Sequence, residues 1–278
     1  MRSAGCGVRG AECGLRGTRP GPVRSSLVAA RCLLRGLPLF LRATPRTPLR
    51  VLGILAFDTL HVLRTSQPLP RKRISELAVF LDFQGCANAD WDLKNVCRTE
   101  YRTIRQQLQT AGLRSCVEAY LGRLGEIEGR RPSIGGDHQR FNEVRSYREA
   151  VARLSIATTA AIALHGGCLD EGIRAAERDS DVETLFRILM QCQIIDDVLD
   201  YPDDLSAGLP SYLTACASLS QSMAMTRAAI RSYAVRRGGS ADDAVFPLRL
   251  ALWTFTAVTR LVIRAAHWRH RSAVRVSQ

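Results

Sequence analysis

The sequence predicts an all-α fold, a single-domain helical bundle. Three observations lead there. From residue 49 onward, apolar side chains recur at three- and four-residue intervals, the spacing that lines one face of a helix. No stretch shows the alternation of β-branched residues that a strand requires. The links "TSQPLPRK", "EGRRPSIGGDHQR", "YPDDLSAGLP" and "RRGGSADD" gather the Pro, Gly and Asp that interrupt helices.

Taken in order, the periodicity places a first helix over 49–64, which stops at the first Pro-containing link. Helices over 73–94, 97–111 and 113–128 follow, the last ending at the Gly- and Pro-rich link. A long helix over 141–165 carries the small residues "ATTAAIAL" before a Gly pair, and a shorter one covers 168–178. The helix over 181–201 is apolar around nearly its whole circumference, so it is expected at the centre of the bundle, with Pro202 ending it. Helices over 210–236 and 244–270 complete the set, and in the last of them Arg249, Arg260 and Arg264 break the apolar run into an amphipathic core helix. No segment reaches the ~20 uninterrupted apolar residues needed to cross a bilayer.

Charge divides the 278 residues differently. Of the net +13, residues 1–50 contribute +9 and residues 260–278 contribute +5, leaving 24 basic against 25 acidic residues in 51–259. The expected organisation is a basic extension over 1–48, one helical domain over 49–272 and a short tail over 273–278. The extension is expected to be either disordered or a weak targeting or membrane-contacting segment. Basic ends on a neutral body suit peripheral contact with anionic lipid rather than a groove for nucleic acid. Nine scattered Cys without a CxxC pair indicate reduced thiols and a cytoplasmic setting.

The chemistry concentrates in "QCQIIDDVLDYPDD" at 191–204. Asp196, Asp197 and Asp200 lie in the last two turns of an apolar helix, at the negative end of its dipole. Carboxylates there need a counter-charge, and a hard divalent cation supplies one. The other possibility is an exposed helix end whose aspartates lead into a turn, with Asp203 and Asp204 as turn residues. A second set of oxygens is available in "ISELAVFLDFQGCANADWDLK", where Asn88 and Asp92 are spaced i, i+4. Arg145, Arg148 and Arg153 share one helix with Tyr147 and offer phosphate-binding donors. The chain has no P-loop, no G-x-S-x-G and no G-x-G-x-x-G.

"QIIDDVLDYPDD", with Gln193, Asp196, Asp197 and Asp200, resembles the second aspartate-rich motif of trans-polyprenyl diphosphate synthases. "SQPLPRKRISELAVFLDFQGCANADWD" is similar to the opening of squalene and phytoene synthases, with Asn88 standing where the family has its first aspartate. The resemblance covers roughly residues 50–270. It implies the class I terpenoid synthase fold, a bundle around a central apolar cavity, in a monomer or homodimer. It also implies Mg²⁺ held by Asn88, Asp92, Asp196, Asp197 and Asp200 against a prenyl diphosphate substrate, with Asp92 and the three later aspartates catalytic. Arg145, Tyr147, Arg148, Arg153 and Gln193 would bind that substrate. The expected activity is ionisation of an allylic diphosphate for condensation or cyclisation. The alternative is a non-catalytic helical protein that binds prenyl lipids or a partner protein.

Overall fold

The computed structural model describes residues 48–91, 98–235 and 246–276, together with five helical positions at 27, 28, 30, 31 and 34. Between residues 48 and 276 the described residues form ten helices and no strand. They are α1 (Pro48–Thr65), α2 (Arg71–Trp91), α3 (Arg98–Thr110), α4 (Arg114–Glu128), α5 (His138–Leu164), α6 (Leu169–Arg178), α7 (Ser180–Leu199), α8 (Tyr201–Ala207), α9 (Leu219–Ala234) and α10 (Phe246–Val276). The all-α expectation therefore holds.

Local chemistry accounts for several boundaries. Asp137 caps α5 by accepting hydrogen bonds from the backbone N–H groups of Gln139 and Arg140, and Asp179 does the same for Asp181 and Val182 at the start of α7. Gly166 and Gly167, with φ of 63° and 89°, turn the chain between α5 and α6. Gly208 closes α8 in the left-handed region at φ 66°.

Three boundaries differ from expectation. Pro202 does not terminate the apolar helix. The break falls at Asp200, and Pro202 lies in the first turn of α8, where its missing N–H costs nothing. Asp203 and Asp204 are therefore helical rather than turn residues. Residues 209–218 are not helical either. There the Thr214 hydroxyl donates to the Leu209 carbonyl at 2.7 Å and accepts from the Ser211 N–H at 2.8 Å, holding a turn that delays α9 until Leu219. Finally, α10 runs to Val276, past the expected helix end at 270, because no Gly or Pro interrupts it after Pro247.

The helix α7 is central, packed against α5, α6, α9 and α10. Two hydrophobic clusters flank it. One joins α1, α2, α4 and α5 around Phe80, Phe83 and Tyr120, with the Phe80 and Tyr120 rings edge-to-face at 5.5 Å. The other joins α5, α7, α9 and α10 with the 212–216 turn, around Phe186, Met190, Ile194, Tyr212 and Ile263. The helix α10 meets the expected amphipathic pattern only in part. Leu248, Leu252 and Ile263 are buried, but its outer side also exposes Leu250, Trp253 and Leu261.

The approach of α6 to α5 depends on Gly172. A Cβ at that position would sit 2.1 Å from the Ala157 carbonyl oxygen and 2.7 Å from the Ala161 Cβ. Backbone cannot yield as a side-chain tip does, so Gly172→Ala is expected to cost about 1–3 kcal/mol in a urea unfolding series. An unchanged midpoint would show that α6 is free to move away from α5.

Candidate functional site

At its C-terminal end, the central helix α7 points neighbouring aspartates in different directions. Asp197 faces inward and is 2 % exposed. Its Oδ1 accepts a hydrogen bond from the Arg148 guanidinium of α5, and its Oδ2 accepts the Tyr212 N–H at 2.7 Å. Asp196, one residue earlier and about 100° around the helix, is exposed. Asp200 is partly buried and caps the helix, donating its N–H to the Asp196 carbonyl at 2.8 Å. Asp197 thus points away from Asp196, because consecutive positions on a helix do not share a face.

Burial disfavours the charge on Asp197 and raises its carboxyl from 3.8 to about 6, against the opposing pull of Arg148 and the Tyr212 N–H. Burial also disfavours the Arg148 charge, but Asp197 more than restores it, so the guanidinium remains cationic. A folded-state value above the unfolded one means that the folded protein holds this proton more tightly. Between about pH 4 and pH 6 this group therefore makes stability fall as pH rises. Subtracting the pH profile of Asp197→Asn from that of the wild type, by urea midpoints, should reveal a negative slope confined to that window. A flat difference would mean that Asp197 ionises as it does in the unfolded chain.

The other candidates on α5 bind within the protein. Arg145 donates from Nε to Glu149 Oε1 at 2.8 Å and from Nη2 to Ser232 Oγ at 2.8 Å, and its guanidinium lies 5.0 Å from the Tyr233 ring centroid. The Tyr147 hydroxyl donates to Glu128 at 2.9 Å. Arg153 donates to Glu183 at 3.0 Å and stacks 3.9 Å over the Phe186 ring. Glu183 lies at the start of α7 and Asp197 near its end, about 21 Å apart along the axis. Arg153 is thus separated from Arg148 and does not join it at the aspartates. Of the expected set, the structure brings together Arg148 and Asp197, with Gln193 one turn upstream. Gln193 Oε1 and Arg148 Nε are both buried without a hydrogen-bond partner among the described residues.

Tyr212, Tyr233, Glu149 and Arg187 complete this region. The Tyr212 hydroxyl lies 2.8 Å from that of Tyr233, which donates to Glu149 at 2.6 Å. Burial works against the Glu149 charge, but the hydrogen bonds from Tyr233 and Arg145 outweigh it and hold the carboxyl below its usual range. Arg187, 3 % exposed, donates from Nε and Nη2 to the Tyr233 and Ala234 carbonyls, each at 2.8 Å, and so satisfies the end of α9. The spacing of these residues carries no signal for their contacts, which require the 209–218 turn to return Tyr212 to α7. The nearest available hint was the Gly208-Leu209-Pro210 stretch that starts the turn.

The donor set was tested for fit to a divalent cation. Among the described residues no three His, Cys, Asp or Glu side chains stand close enough to hold a metal ion, and both Asp197 oxygens already serve protein donors. The described side chains include only Asp196, Asp197 and Asp200 of the expected Mg²⁺ set. Asn88 lies in α2 with its side chain outside the described set, and Asp92 lies outside the described residues altogether. No protein-family model matches the chain, and neither a curated protein nor a solved structure shows significant similarity to it.

Proposed function

We propose that the chain handles prenyl diphosphates, as an enzyme of the class I isoprenoid synthase type that ionises an allylic diphosphate for condensation or cyclisation. One observation carries the reading. Arg148 has satisfied Asp197, yet its Nε is buried without an acceptor. Its side chain as a whole is 23 % exposed. A cation with a spare N–H at the end of the most apolar helix suits a phosphate oxygen, which Arg binds in fork geometry. The likeness of "QIIDDVLD" to the diphosphate-binding motif points to the same ligand. Arg148 would bind and orient the head group, and the surrounding apolar helices would keep water from a developing cation.

A second reading, a non-catalytic helical protein that binds prenyl lipids or a partner protein, draws on a different observation. Asp197 is committed to Arg148 and Tyr212 as a structural pair. Calorimetric titration of farnesyl diphosphate and ADP, each with Mg²⁺ and again after chelation, separates the possibilities. The enzyme reading expects farnesyl diphosphate to bind about tenfold more tightly than ADP, and only with Mg²⁺. Tight binding that survives chelation supports the non-catalytic protein, and equal affinities for the two ligands remove the isoprenoid reading.

A further inference from the structure

The pair α9 and α10 carries no acidic residue. Between them lies a cleft of about 280 Å³, lined by Arg227 and Arg231 from α9, Arg260 and Arg264 from α10, and Ile230 and Ile263 at its floor. Among the described residues none of the four arginines has a carboxylate partner, and Arg227 Nε is buried with no acceptor. Elsewhere in the described chain Arg145 pairs with Glu149 and Arg148 with Asp197. Four unpaired guanidinium groups around one cleft amount to a site for an anion.

The apolar surface next to the cleft narrows the choice of anion. Along α10, residues 250, 253, 257, 261, 264 and 268 follow one another at three- and four-residue intervals and share one arc of the helix. Trp253 is 71 % exposed, Leu261 62 % and Trp268 72 %. Trp and Leu interleaved with Arg, on a helix free of acid, are the composition of an interfacial helix that lies flat on an anionic bilayer. Trp prefers the headgroup level, and Arg reaches the phosphates there. No single helix among the described residues is long and apolar enough to cross a membrane, which leaves a surface mode of contact for this face. A nucleic acid would use the arginines but would leave Leu250 and Leu261 without partners.

We propose that the α9–α10 face docks on anionic phospholipid, with a headgroup phosphate in the cleft of Arg227, Arg231, Arg260 and Arg264 and with Trp253, Leu261 and Trp268 entering the acyl boundary. The site is independent of Arg148 and Asp197. It is tested by sedimenting the full chain with phosphatidylcholine vesicles that either contain or lack phosphatidylglycerol. Binding is expected only to the anionic vesicles, with a blue shift of tryptophan emission. The double variant Arg260→Gln/Arg264→Gln is expected to lose about tenfold in vesicle affinity, while Arg260→Lys/Arg264→Lys stays within about threefold. The control Arg16→Gln/Arg19→Gln removes equal charge from the basic extension and should bind like wild type. Circular dichroism confirms that each variant is folded, which the exposure of Arg260 and Arg264 favours. Equal losses in the control and the cleft variant would overturn the proposal, since bulk charge would then explain the attraction. It also fails if the cleft variant loses binding to an oligonucleotide but not to vesicles, or if the loss is confined to self-association of the chain.

Discussion

Replacing Asp197 by alanine is expected to destabilise the protein by about 3 kcal/mol, the lower part of the range for breaking a buried ion pair. Two groups lose their partner at once. Arg148 keeps its charge beside an apolar helix end, and the Tyr212 N–H loses the acceptor that it meets at 2.7 Å. Because the Arg148 side chain is 23 % exposed, water relieves part of the penalty, which places the cost at the lower end. Replacing both partners by apolar residues, Asp197→Leu with Arg148→Met, should recover most of the loss, because no charge is then left buried. Asp196→Ala, on the exposed side of the same turn, should change stability by less than about 0.5 kcal/mol. Urea unfolding of the four proteins decides the matter. If Asp196→Ala and Asp197→Ala cost the same, the inward and outward roles assigned to these neighbours are wrong.

Arg187→Met should cost a similar amount, about 3 kcal/mol, by a different route. The Arg187 side chain is 3 % exposed and ends on the last carbonyls of α9, those of Tyr233 and Ala234. Hydrogen bonds from a charged donor contribute about 1.5–3 kcal/mol each, and methionine fills the space while donating none. The C-terminus of α9 also loses the cation that its dipole favours. The damage should therefore be local as well as global. Amide exchange in the last turn of α9 should accelerate more than that of α2, which packs in the other cluster. Uniform acceleration would mean that Arg187 supports the bundle generally rather than the end of one helix.

Both experiments bear on how much the sequence reveals by itself. The helical class, the central place of α7 and most boundaries were legible, because each follows from a repeat of three or four residues and from Gly, Pro and capping residues nearby. Asp137, Asp179 and Gly208 act through contacts only a few residues away, so their roles are written locally. The boundary at Pro202 was misjudged for a related reason: proline is compatible with both the end of one helix and the first turn of the next, and only the break at Asp200 distinguishes them.

The candidate site was legible in residue type and not in direction. The composition of "QIIDDVLD" marked Asp196, Asp197 and Asp200 as costly in an apolar helix, and that cost stands. Which aspartate turns inward was decided by what α5 and the 209–218 turn bring against α7. Asp197 meets a guanidinium from 49 positions earlier and a backbone N–H from 15 positions later, whereas Asp196 lies on the exposed side of the helix. The same holds for the arginines of α5, where Arg148 reaches Asp197 while Arg153, five residues on, is drawn to Glu183 and Phe186. Periodicity and caps are short-range and leave their mark in the chain. Partner choice among buried charges is set by which long-range contacts lower the desolvation penalty most, and only the folded arrangement of α5, α7 and the turn supplies that information.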